Sequence, residues 1–169
     1  MRILGIDPGL QITGYGVIDI APSGITLLRP TLIDAGVIRL KPKTSIADRL
    51  VELEAELDGL FDEHKPDVCA VEQLYSHYAH PRTAILMGHA RGVILLAARK
   101  RGVRVEQFAA NRIKQSLTGR GHASKLQMQR AIQAQWNLPE PPEPPDVADA
   151  LAIALCCGAY IDELRVVPR

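Results

Sequence analysis

Two short apolar runs, each stopped by a single acid, constrain this chain most. Residues 3–6 run apolar and end at Asp7, with Pro8-Gly9 behind it. Residues 68–71 run apolar and end at Glu72. Runs this short, apolar throughout, fit strands buried on both faces of a sheet. Such strands need helices above and below them, and the rest of the pattern supplies helices.

Residues 13–20 mix glycine with Tyr15, Val17 and Ile18 and read as a second strand. Residues 25–40 read as a third, with Pro30 a candidate break point. Short turns between these three suggest an antiparallel meander. Ser45 is placed to cap a helix whose first turn holds Asp48. Leu50, Leu53, Leu57, Leu60 and Phe61 then recur at helical spacing until Pro66. Further helices are expected over 82–101, 110–117, 124–136 and 146–164, and a strand over 103–108. The helix over 82–101 has little polar face. It either lies between a sheet and other helices or also buries a side against a second subunit. Residues 139–145 hold five prolines in seven positions and must form an extended, stiff loop. A spacer that places the next helix is the simplest reading of it. With 169 residues the chain has room for one domain, a mixed sheet with helices on its faces.

The formal net charge of +1 hides a strong segregation. Between Arg82 and Arg130 there are eleven Lys/Arg and one acid, Glu106. Between Asp48 and Glu72 there are nine acids against Arg49 and Lys65. The acidic run reads mostly as the solvated face of a helix, and the basic run as a surface for phosphates. Cys69, Cys156 and Cys157 form no disulfide framework and read as small buried residues of a reducing compartment. The chain opens without a leader, its longest strongly apolar stretch is far shorter than a bilayer span, and a cytoplasmic protein is expected.

Four acids stand where structure does not call for them. Asp7 and Glu72 end buried strands, and in an α/β sheet that edge is where ligands bind. Asp146 and Asp149 share one face of an otherwise apolar helix. Each has a plain account alone: a turn residue, a strand-end acid, an N-cap, a first-turn acid. As a set at half-buried positions they would repel one another unless cations neutralise them. Several carboxylates suit Mg²⁺ or Mn²⁺. Acid-bound metals beside a basic groove are the recipe for phosphodiester hydrolysis.

Ile6-Asp7-Pro8-Gly9, Thr13-Gly14-Tyr15-Gly16, Val71-Glu72-Gln73-Leu74-Tyr75, Ala90-Arg91-Gly92-Val93, Lys114-Gln115 and the run Asp146 to Ala152 occur in this order. At these spacings they closely resemble the RuvC-type Holliday-junction resolvases of bacteria. The match runs to about Gly158, leaving a short C-terminal tail. The resemblance implies a ribonuclease H-like fold, a five-stranded mixed sheet flanked by helices. It implies a homodimer that binds four-way junction DNA and nicks two opposing strands symmetrically, in concert with branch-migration and junction-binding proteins. Divalent metal, Mg²⁺ or Mn²⁺ and two per site, would be held by Asp7, Glu72, Asp146 and Asp149. Lys114 matches the family's active-site lysine and Lys125 a DNA-contacting one. Tyr75 matches an aromatic, usually Phe, implicated in stacking on junction bases. Arg82 and Arg112 of the basic run are further expected DNA contacts. The chain differs from the usual pattern at Ser76, His77, Tyr78 and His80-Pro81, at His89 where Gln is common, and in its proline-rich loop. Symmetric paired cuts need two sites related by a two-fold axis, which favours the subunit-interface reading of the helix over 82–101.

Overall fold

The computed structural model describes residues 1–9, 11–21, 30–74 and 81–166. In chain order the elements are β1 (Arg2–Asp7), β2 (Ile12–Asp19), β3 (Thr31–Arg39), α1 (Ile46–His64), β4 (Val68–Glu72), α2 (Pro81–Lys100), β5 (Arg104–Phe108), α3 (Ala110–Thr118), α4 (Lys125–Trp136) and α5 (Pro145–Val166). The strands form one sheet in the order β3-β2-β1-β4-β5. The first three pair antiparallel, as the meander predicts, while β1-β4 and β4-β5 are parallel. This is the mixed sheet that the ribonuclease H-like resemblance implies.

The two acid-terminated runs lie side by side at the centre of the sheet, with Ile6 opposite Val71. Period-two alternation divides their side chains between two cores. Ile3, Val68 and Ala70 pack with α3, α4 and α5, whereas Leu4, Ile6, Cys69 and Val71 pack with α1 and α2. The three cysteines are buried and free.

Local signals explain most boundaries. The Ser45 hydroxyl accepts from the Asp48 amide, as its spacing predicts. At the far end of α1, Lys65 adopts a left-handed conformation (φ 46°) and its amide bonds Phe61, so the chain leaves the helix just before Pro66. Ser124 and Gln127 close a capping box on α4. Two expectations shift. The third strand begins at Thr31, after Pro30, and residues 22–29 lie outside the described residues. The last helix begins at Pro145, so Asp146 lies inside its first turn and is not its N-cap. Pro145 is well suited to that position, because its fixed φ matches the helix and its missing N–H would have no partner there.

The charge segregation is partly internal. Lys100 pairs with Glu54 at 2.8 Å, and Arg101 with Asp58 at 2.6 Å and Asp62 at 3.5 Å. The end of α2 thus meets the acidic face of α1. Arg104 pairs with Glu106 on its own strand. Part of the basic run is therefore spent holding the fold. The outer side of α2 carries an exposed stripe of Ile85, Gly88, His89, Gly92 and Leu96, with Ile85 61% and Leu96 56% exposed. Its inner side, with Ala90, Ile94, Ala97 and Ala98, is buried. Among the described residues, no helix is long and apolar enough to cross a membrane.

Candidate active site

Alternation along β1 and β4 turns Asp7 and Glu72 toward the same face, the one covered by α5. They end adjacent parallel strands, about 5 Å apart in the pairing direction. The turn after Asp7 is held by Thr13, which is fully buried. Its hydroxyl donates to the Gly9 carbonyl at 2.6 Å and accepts from the Gly9 amide at 3.2 Å.

The other two acids arrive on α5, and glycine lets them come close. Gly14 pairs with Asp7 across β1 and β2. A Cβ there would drive into the Asp146 carbonyl and stand 3.2 Å from the Asp146 Cβ. A Cβ on Gly5 would meet the Ala150 carbonyl, and one on Gly16 would sit 2.6 Å from Leu151 Cδ2. These three residues form a track on which the backbone of α5 rides. Neighbours with side chains would lift the helix, and its acids, off the strand ends.

The proline-rich loop fixes where α5 begins. The buried Gln129 side chain donates to the Pro142 carbonyl at 3.0 Å and to Glu143 Oε1 at 2.9 Å. Gln133 donates to the carbonyls of Leu138 at 3.2 Å and Pro139 at 3.3 Å. The Val147 amide then bonds Pro144 at 3.0 Å. The loop is a braced spacer, as its composition suggests.

The electrostatics report the convergence. Burial pushes the Asp7 carboxyl up to about 8, with Asp149, Glu72 and Asp146 adding to the rise and Lys125 opposing it. Burial and then Asp149 raise Glu72, against Lys114. Burial raises Asp149, with Lys125 and Lys114 opposing and Asp146 adding. The acids are thus close enough to repel one another, and the two lysines close enough to relieve them. Half-buried, mutually repelling carboxylates offer hard oxygen donors to a divalent cation, so the donor set fits Mg²⁺ or Mn²⁺. Among the described residues, no three such side chains yet close into a metal cage.

The remaining expected site residues fall in different places. Lys114 lies on α3 and Lys125 opens α4, both within electrostatic reach of the acids. Arg82 is exposed in the first turn of α2. The guanidinium of Arg112 lies 5.6 Å from the Phe108 ring centroid and 4.9 Å from that of Tyr160, with Glu163 at 3.4 Å. One of its donors meets Glu163 on α5 and its plane lies against two rings, while the side chain stays about half exposed. Tyr75, with the unusual stretch behind it, lies outside the described residues. The amino-acid pattern alone does not single out Gly5, the brace at Gln129, or the structural role of Gly14 and Gly16. The Thr13-Gly14-Tyr15-Gly16 run is visible in the sequence, but a glycine's partner across a sheet is not a local property.

The family model for crossover junction endodeoxyribonuclease RuvC matches residues 3–157. A crossover junction endodeoxyribonuclease RuvC of Rhodopirellula baltica is 52% identical over 159 residues, covering 94% of this chain and 86% of that one. The RuvC structure of Thermus thermophilus superposes with a TM-score of 0.85 at 32% identity, covering 96% of each chain. A second T. thermophilus RuvC structure, in complex with a Holliday junction substrate, gives 0.84 at 28% identity, again covering 96% of each.

Proposed function

Because this chain belongs to the RuvC family of crossover junction endodeoxyribonucleases, we propose that it resolves four-way DNA junctions by paired, metal-dependent nicks. The observation that carries this reading is the convergence of acids from β1, β4 and α5 beside Lys114 and Lys125. Asp7, Glu72, Asp146 and Asp149 would hold the metal, Mg²⁺ or Mn²⁺ and two ions per site. Bound there, divalent cations supply Lewis-acid activation of the attacking water and stabilisation of the leaving oxygen.

The protein's own groups do the rest. Lys114, beside Glu72 and Asp149, offsets negative charge developing on the scissile phosphate. Lys125, at the start of α4, holds a phosphate next to it, and the exposed Arg82 serves a more distant one. Arg112 contributes to this surface by fixing α3, which carries Lys114. Tyr75 stacks on a junction base, so Tyr75→Ala should impair cutting more than Tyr75→Phe does. Equal behaviour of the two would remove that role.

Two cuts related by symmetry require two copies of the site. The exposed apolar stripe of α2 is the surface proposed to pair them in a homodimer. The substrate leaves other work to branch-migration and junction-binding proteins in the bacterial cytoplasm.

The test is cleavage of a synthetic four-way junction beside a matched linear duplex and an RNA–DNA hybrid, with and without divalent metal. Nicking of the junction alone, and only with metal, is expected. Equal cutting of duplex or hybrid would overturn the assignment.

A further inference from the structure

Arg91 lies on the inner side of α2, half-buried, and reaches the end of β4. Its Nε donates to the Glu72 carbonyl oxygen at 3.1 Å. Its Nη2 donates to the side-chain oxygen of Gln107 on β5. The same strand end is tied on a second side, where the Gln73 amide donates to the Phe108 carbonyl at 2.9 Å. The Gln73 side chain reaches the Gln107 carbonyl at 3.5 Å. Around Arg91, the inner face of α2 is otherwise apolar, with Ala90 and Ile94 fully buried. Packing of α2 alone does not call for a guanidinium there.

The target of Arg91 is the backbone of an acid. β4 has five residues and Glu72 is its last; the Gln73 amide carries the ladder to β5 one bond further, and Arg91 adds a tie to the Glu72 carbonyl from α2. A guanidinium supplies directed donors in a fixed planar fork, and here they span two strands. Any displacement of the Glu72 backbone carries the carboxylate with it. Sites that assemble metal from several elements tolerate displacements of only about 0.5 Å.

We propose that Arg91 is a positioning residue for cleavage: by clamping the Glu72 main chain to β5, it sets the Glu72 carboxylate against the acids of β1 and α5. The inference rests on reading Glu72 as a metal ligand. Arg91 acts on the ligand set and not on DNA affinity, and the two effects separate experimentally.

The experiment compares the full chain with Arg91→Met, Arg91→Lys and Gln107→Met. Mn²⁺ affinity is measured without DNA by titration calorimetry, junction affinity in EDTA, and single-turnover cleavage against metal concentration. Arg91→Met should weaken Mn²⁺ binding about tenfold or more, the size usual for groups that orient metal ligands. The metal concentration for half-maximal cleavage should rise in parallel, and junction affinity should stay within about twofold. Arg91→Lys should recover part of the loss. Gln107→Met removes the far anchor at an exposed position, and should weaken Mn²⁺ binding about two- to threefold even if Arg91→Met fails to fold. Unchanged Mn²⁺ affinity in a folded Arg91→Met chain overturns the proposal. So does a parallel fall of metal affinity, junction affinity and melting temperature that lysine does not restore, which marks a merely structural arginine. If the unsubstituted chain binds Mn²⁺ but leaves junctions uncut, the functional reading fails while the Arg91 proposal is still decided by metal affinity. If the unsubstituted chain binds no Mn²⁺, both fail.

Discussion

Asp7 is the residue at which function and stability pull apart. Its carboxyl is held up at about 8 in the fold, against 3.8 in an exposed chain. Between those values the folded state keeps a proton that the unfolded state has lost, so stability falls as pH rises across that window. Asp7→Asn removes the liability and, on the proposed reading, the chemistry with it. In EDTA at pH 8 its melting temperature should exceed that of the unsubstituted chain by about 5 °C, equivalent to about 2 kcal/mol. The gap should close toward pH 5, and saturating Mg²⁺ should close it at pH 8. The same variant should bind junctions and cut none, and cutting at the normal rate would remove Asp7 from the site. The placement of Asp7 and Glu72 at the strand ends is legible in the sequence, because an acid that stops a buried strand stands out in an apolar run. Arg91 is legible as part of a motif but not as a clamp, since its partners lie 19 and 16 residues away.

At the scale of elements, the site depends on how closely α5 lies on β1 and β2. Gly14→Ala places a methyl group against the Asp146 backbone. Overpacking of this kind costs about 1–3 kcal/mol. The expected result is a fall in melting temperature together with loss of cleavage, while junction affinity changes little. Loss of stability with normal cleavage would show that Asp146 and Asp149 tolerate displacement. The elements themselves are mostly legible, since capping signals at Ser45 and Ser124 and the punctuation at Pro66 are local. The contact between α5 and the glycine track is not, because it joins the two ends of the chain, Gly5 to Ala150 and Gly14 to Asp146. On the proposed reading, α3 and α4 present charge to DNA. Lys125→Ala should weaken junction binding and flatten its salt dependence by about one phosphate equivalent. An unchanged slope would take Lys125 off the contact surface.

For the whole molecule, a net charge of +1 says little about a DNA partner. Lys100, Arg101, Arg104 and Arg112 form internal pairs, which leaves Arg82 and the lysines of α3 and the start of α4 as the proposed surface for phosphates. The proposed homodimer is tested at this scale too. Leu96→Glu on the exposed stripe of α2 should convert a dimer to monomers in sedimentation and turn paired cuts into single nicks. A dimer that persists would place the interface elsewhere. That stripe is only half legible: the apolar character of the helix is plain, but which side meets the core depends on the sheet. The glycine track carries one more consequence, for the timing of synthesis. Asp7 and Glu72 emerge from the ribosome before Asp146 and Asp149, which lie near the C-terminal end of the matched region. Until α5 has been made and laid on its track, a nascent chain holds two acids of four and a DNA-attracting surface without a completed cutting centre. On the proposed reading, the order of translation thus completes the metal-binding set last.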